Sequence, residues 1–174
     1  MERFEQNVHE EKFTPNVIEP SFGIGRIVYC VMEHCFKVRE KDKKRTFFNF
    51  PPTVAPYKVS ILPLIANADF LKYIENIRKE LVQNGISYKI DETNDSIGRR
   101  YARTDEIGIP FGITIDDITL KDETVTLREI ETMKQIRIPI KEVGETIRNI
   151  CNRITKWEEV LEKYPAFEAT KKEK

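Results

Sequence analysis

No run of this sequence approaches the roughly 20 consecutive apolar residues that a membrane-spanning helix requires. The N-terminus, Met1 to Phe13, lacks the apolar centre of a signal peptide, and its acidic residues argue against a transit peptide. These absences predict an intracellular protein without a membrane partner, cytoplasmic in the first instance, with an organelle as the alternative. Cysteine is scarce and odd in number: Cys30, Cys35 and Cys151 form no C-x-x-C pair and make a poor disulfide framework. Cys30 and Cys35 flank His34, but they fall in a run that reads as helix. With no second ligand pair elsewhere, no metal site is expected. Excess charge of one sign is also missing, with 29 Lys and Arg against 29 Asp and Glu. A uniformly basic nucleic-acid binder is thereby excluded, whereas a local basic face is not.

What is present is the composition of an ordinary folded chain. Its 174 residues are 40% hydrophobic and 33% charged, which suits one domain, or one domain plus a fragment. Only the tail, Ala169 to Lys174, reads as disordered. Pro51, Pro52 and Pro56 interrupt TFFNFPPTVAPYKV and mark a boundary, dividing the chain into residues 1–52 and 53–174.

Ahead of that boundary the pattern predicts a strand near Asn16–Glu19, a glycine turn, and a helix from about Gly25 to Val38. Ile24, Val28, Val31 and Cys35 would share one face of that helix. Lys37–Arg45 reads as a solvated, charged loop. Beyond the boundary, Tyr57–Leu64 reads as a strand. Asn67 would cap a helix with Phe70, Leu71, Ile74, Ile77, Leu81 and Val82 as its apolar residues, and Asn84-Gly85 would end it. Ile86–Asp91 completes a βαβ unit, whose strands should run parallel with a right-handed crossover. A helix capped by Asp95 or Ser96 follows, then strands at Ile109–Asp116, Glu123–Ile130 and Lys134–Ile140. Helices at about Lys141–Ile154 and Trp157–Lys163 close the chain. The fold class is α/β: a five-stranded mixed sheet flanked by helices, preceded by a strand–helix fragment.

Two constellations carry chemistry. The first is IEPSFGIGR, Ile18 to Arg26. Its GxG lacks the third glycine of a dinucleotide fingerprint, because Val28 stands at that position. A plain strand-to-helix turn would account for the glycines. Arg26, however, falls in the first turn of the helix, where N–H groups and the dipole already favour anions, and its forked cation suits phosphate oxygens. Glu19 and Ser21 alternate by one residue along the expected strand end, so both can project to one side and receive an ammonium group.

The second constellation is Arg99, Arg100 and Arg103, followed by Asp105 and Glu106. At helical spacing the three arginines span an arc of about 100°, with Ile97, Tyr101 and Thr104 on another face. The arc could be a solvated face with intrahelical ion pairs. It could also bind a nucleic-acid backbone, with the acids accepting from a cytosine amino group. Arg128 could belong to the same surface. Tyr101 and Phe111 are candidates for base stacking, although residues of these types are more often core.

These motifs, in this order, resemble one family. FTPNVIEPSFGIGR is similar to the third conserved motif of class II aminoacyl-tRNA synthetases, in the glycyl form of eukaryotes and archaea. RTFFNFPPTVAPYKVSILPL, DSIGRRYARTDEIGIPFGITID and TVTLREIETMKQIRI resemble the anticodon-binding domain of the same enzymes. The resemblance implies that Arg26 holds ATP phosphates, and that Glu19 and Ser21, with the backbone of Pro20, line a glycine pocket. It implies a two-step reaction: glycine and ATP give glycyl-adenylate, and the glycyl group then passes to glycine tRNA. The anticodons of such tRNAs carry two cytosines, which Arg99, Arg100, Arg103, Asp105, Glu106 and Arg128 would contact. ATP with Mg2+ would serve the complete enzyme, expected to be a homodimer that does not bind DNA. The family's first and second motifs do not occur in this sequence. The chain alone is therefore expected to bind tRNA weakly, to hold no cofactor stably, not to aminoacylate, and to be monomeric or self-associating. The alternative is a non-catalytic, stand-alone module of the anticodon type that binds RNA or protein.

Overall fold

The computed structural model describes residues 3, 9–10, 12–40, 42–64 and 68–167. Helix α1 (Ile24–Cys35) runs directly into a hairpin of β1 (Phe36–Arg39) and β2 (Asp42–Phe48). The main body follows as β3 (Val59–Pro63), α2 (Ala68–Gln83), β4 (Tyr88–Ile90), α3 (Ile97–Glu106), β5 (Phe111–Ile115), the single turn α4 (Thr119–Asp122), β6 (Thr124–Glu129), β7 (Gln135–Pro139), α5 (Ile140–Cys151) and α6 (Trp157–Lys163).

The five-stranded sheet has the order β4-β3-β5-β6-β7. Strand β3 lies parallel to both β4 and β5, while β6 and β7 join antiparallel. The mixed sheet expected from the sequence is therefore present, and so is the parallel pairing of the βαβ unit. Strand alternation divides its two faces. Val59, Ile61, Phe111, Ile113, Ile115, Val125, Leu127, Ile136 and Ile138 form one apolar core with Phe70, Ile74, Ile77 and Leu81 of α2 and Val143 and Ile147 of α5. Ser60, Gly112, Thr114, Thr126, Arg128 and Arg137 occupy the alternate positions, a polar face across which α3 lies. Gly112 permits that approach, since a Cβ there would stand 2.9 Å from the Tyr101 ring. Gly108, just beyond α3, has φ +72°, and a Cβ would meet the Phe50 ring and the Phe48 side chain.

Several local expectations change. Asn16–Glu19 forms no strand: residues 12–23 carry no regular structure, and Ile18 is almost wholly exposed. A strand needs a neighbour for its N–H and C=O groups, and none of the described residues offers one. Helix α1 stops at Cys35 rather than continuing to Val38. Lys37–Arg45, expected as a loop, belongs to the antiparallel hairpin, with Phe36 opposite Phe48 and Lys37 opposite Phe47. In β1 the charged Lys37 and Arg39 alternate with Phe36 and Val38, a strand pattern obscured by the unbroken charge run Asp42–Arg45 that follows. In α2, Leu71 and Val82 face outward. Asn67 and the Ala169–Lys174 tail lie outside the described residues. Beyond α6, Ala166 bridges Ile136, and the chain beside it bonds β7 through Arg137 N to Pro165 O and Phe167 N to Gln135 O.

Candidate functional site

Helix α3 sits with one side against the polar sheet face and the other toward solvent. Ser96 occupies its N-cap position without a side-chain capping bond. Asp95 instead turns to the arginines, approaching Arg99 at 3.8 Å and accepting from Arg103 at 2.5 Å. The expected site residues of this region divide by depth. The Arg99 side chain is 79% exposed, that of Arg103 is 45% exposed, and Glu106 is exposed too. Arg100, Asp105 and Arg128 are buried.

Arg100 donates to the carbonyls of Pro63 and Asp91, binding α3 to the ends of β3 and β4. Burial draws its pKa below the ordinary arginine value, against the opposing pull of Asp91. Arg103 closes the β4–α3 loop by donating to Asp91 at 2.9 Å and to the Thr93 hydroxyl. Burial opposes ionisation of Asp91, but the Thr93 hydroxyl and N–H, with Arg103, outweigh it and hold the carboxyl below its usual range.

Asp105 is the centre of a second cluster. Arg128 donates to both its oxygens, at 2.9 and 3.1 Å, and Arg39 donates to Oδ2 at 2.9 Å. Arg39 also donates to the carbonyls of Ile130 at 2.6 Å and Glu131 at 3.0 Å. The cluster holds two cations and one anion. Those carbonyls stabilise the excess positive charge, as do the faces of Phe47, 3.7 Å from Arg39, and Tyr101, 4.5 Å from Arg128. Tyr101 is further held by a hydroxyl contact with Thr114, and its burial raises the phenol pKa. Of the two stacking candidates, Phe111 is in the core and Tyr101 is occupied by Arg128.

The first constellation is arranged differently. Glu19, Pro20 and Ser21 lie exposed in the irregular segment before α1, and Arg26 is exposed in the first turn of that helix. The Arg26 stem folds back toward Gly23. No residue of α1 is buried, and Ile24, Ile27, Val28, Tyr29 and Met32 are open to solvent. The side chains expected to surround a triphosphate and an ammonium group thus lie exposed along one short segment, joined to no opposite wall among the described residues. Nor does any group of three or more His, Cys, Asp or Glu among these residues stand where it could hold a metal ion.

Sequence reasoning missed Arg39, Asp116 and Arg137. Arg39 was concealed inside the charge run, where only the alternation FKVR opposite TFF signals a strand. Asp116 and Arg137 pair across the polar face, and nothing in their local sequence announces it.

The family model described as the anticodon binding domain matches residues 58–150. A glycine–tRNA ligase of Drosophila melanogaster is 51% identical over 164 residues, which cover 94% of this chain and 21% of that protein. One of Bombyx mori is 47% identical over 169 residues, covering 97% and 23% respectively. A relative in Saccharomyces cerevisiae, 47% identical over 151 residues, is named as mitochondrial. The chain spans about a quarter of the length of the curated relatives it matches. A prolyl-tRNA synthetase structure from Cryptosporidium parvum shares the fold, with a TM-score of 0.56 and 23% identity over 62% of this chain and 24% of that one. No helix among the described residues is long and apolar enough to cross a membrane.

Proposed function

Because the chain belongs to the anticodon-binding domain family, we propose that it is the C-terminal part of a glycine–tRNA ligase and supplies anticodon binding to it. Residues 53–174 would be the anticodon-binding unit, and residues 1–52 the end of the catalytic domain. The observation that carries this reading is the two-sided character of α3. Its inner side is locked to the sheet by Arg100 and Asp105, while Arg99, Arg103 and Glu106 stand on the outer side. The two arginines meet phosphate or base acceptors, and the carboxylate of Glu106 accepts from a cytosine amino group. Arg100, Asp105 and Arg128 act from behind this surface.

In the complete ligase, Arg26 at the N-terminus of α1 holds phosphate oxygens of ATP, and Glu19 and Ser21 with the Pro20 backbone receive glycine. The reaction requires little covalent chemistry from the protein, so these groups contribute by orienting reactants and countering charge. The exposed apolar side of α1 packs against the preceding catalytic chain, and the complete protein is a homodimer. A cytoplasmic location belongs to the same proposal, with the mitochondrial relative supporting the organelle as the alternative.

The test is binding of the purified chain to glycine tRNA and to a version with both anticodon cytosines replaced, at two salt concentrations. The expected result is weaker binding on replacement, with the preference lost in the Arg99→Ala/Arg103→Ala variant. Equal binding to both RNAs, or binding to neither, would overturn the reading in favour of a protein-binding module.

A further inference from the structure

Both carboxylate oxygens of Asp105 are engaged, Oδ1 by Arg128 and Oδ2 by Arg128 and Arg39 together, and the residue is only 3% exposed. A cytosine amino group could reach it only by dismantling the cluster, leaving two guanidiniums buried without their counter-charge. Yet its neighbours Arg103 and Glu106, on the same last turn and a half of α3, face solvent. The carboxylate joins three elements that are far apart in sequence: Arg39 of β1, its own helix, and Arg128 of β6. Arg39 continues to the carbonyls of Ile130 and Glu131 in the β6–β7 turn. Strand β1 in turn begins at the residue directly after α1.

Resting on the anticodon reading above, we propose that Asp105 is a positioning residue. Its buried carboxylate fixes the C-terminal half of α3 to the hairpin and to β6, so that Arg99, Arg103 and Glu106 meet the anticodon in one orientation. Asp105 and Arg39 touch no RNA. The same link ties the anticodon-facing helix to the segment carrying Arg26, because the hairpin is the uninterrupted continuation of α1. Hairpin 36–48 therefore works with the anticodon unit, although it lies before the proline boundary. A long carboxylate would not substitute here, since Oδ1 and Oδ2 meet a forked guanidinium and a second cation at fixed depth.

The experiment uses this chain and two anticodon stem-loop RNAs, one with both cytosines and one with both replaced. Arg39→Met removes the three hydrogen bonds yet keeps an apolar stem over Phe47, and it leaves Asp105 and Arg128 as a neutral pair that still folds. The expected result is a preference for the cytosine RNA reduced by about tenfold, or abolished if it is smaller than that. The salt dependence of binding should stay unchanged, because no phosphate contact is lost. Amide exchange should accelerate at residues 104–107 and 36–39, and Arg39→Lys should restore part of the preference. Asp105→Asn should show the same loss, and combining it with Arg39→Met should add nothing. If Asp105→Asn does not fold, the Arg39 variants decide the matter. Full preference retained by Arg39→Met would overturn the proposal while leaving the anticodon reading intact. A salt dependence shallower by about one counterion would also overturn it, by showing that Arg39 contacts phosphate directly. No preference in the unaltered chain would overturn the anticodon reading itself, and this proposal with it.

Discussion

Arg137 holds Asp116 with both terminal guanidinium nitrogens, at 2.6 and 2.8 Å, across the intervening strand β6. It touches the Thr126 hydroxyl on the way, at 3.1 Å. Asp116 also accepts from the N–H groups of Ile118 and Thr119, both at 3.1 Å. One carboxylate therefore closes the turn after β5 and joins it to β7. Arg137→Met should lower stability by about 3 kcal/mol, since it leaves a largely buried carboxylate without its cation. Urea unfolding followed by tryptophan fluorescence would measure this. A loss below about 1 kcal/mol would mean that solvent screens the pair.

The same carboxylate sets an acid limit. Burial opposes ionisation of Asp116, but the hydrogen bond from Arg137 and the Thr119 N–H prevail, and its carboxyl lies below the ordinary aspartate value. A depressed native pKa means that the unfolded chain binds the proton more readily. The stability from this site is thus fully present above the unfolded pKa, about 3.9, and falls as pH descends through the native value. Asp91 adds a contribution of the same sign. Unfolding measured from pH 6 to pH 2.5 should show stability declining below about pH 4. In Asp116→Asn that decline should be smaller.

Gly108→Ala should be among the costly single-methyl substitutions in this chain. The residue has φ +72°, and its absent Cβ would strike the Phe50 ring. Left-handed backbone strain and overpacking together predict a loss of about 2–4 kcal/mol. Phe50→Ala in the same chain should recover the ring part of the overpacking, but neither the contact with the Phe48 Cβ at 2.9 Å nor the backbone part. Thermal unfolding of the single and double variants separates the two.

The outer side of α1 predicts a different behaviour. Its apolar residues touch little within the chain, so Val28→Glu should leave stability within about 0.5 kcal/mol of the starting protein. Concentration-dependent association, measured by sedimentation velocity, should fall. A chain that is monomeric at every concentration before substitution would contradict this expectation.

Legibility in the sequence followed the reach of the interactions involved. The βαβ unit and the later strands were readable because Val59, Ile61, Ile113, Ile115, Val125 and Leu127 alternate with small or polar residues, and each strand finds its partner within this chain. Asn16–Glu19 carries strand-like residues, but β structure requires a neighbour that the described residues do not provide. The hairpin escaped notice because its lysines and arginines suggested solvent, when Arg39 points inward. At the candidate site, helical spacing grouped the three arginines correctly as an arc. Their depth depended on the sheet beneath, which spacing within one helix does not encode. Arg100 and Asp105 are held by Pro63, Arg39 and Arg128, all distant in sequence.

The short bridge formed by Ala166 beside β7 affects how this protein behaves in a crowded solution. A sheet margin with open N–H and C=O groups is a template for strands from other molecules. On the β7 side, Pro165 and Phe167 already take up the backbone groups of Arg137 and Gln135. On the opposite side, β4 presents only three residues, Tyr88–Ile90, too few to hold an incoming strand firmly. The sheet therefore resists growth by recruitment at both margins, by occupancy on one and by brevity on the other. Truncation after Tyr164 would remove the first safeguard and leave a five-residue docking edge, making the chain prone to joining its own kind.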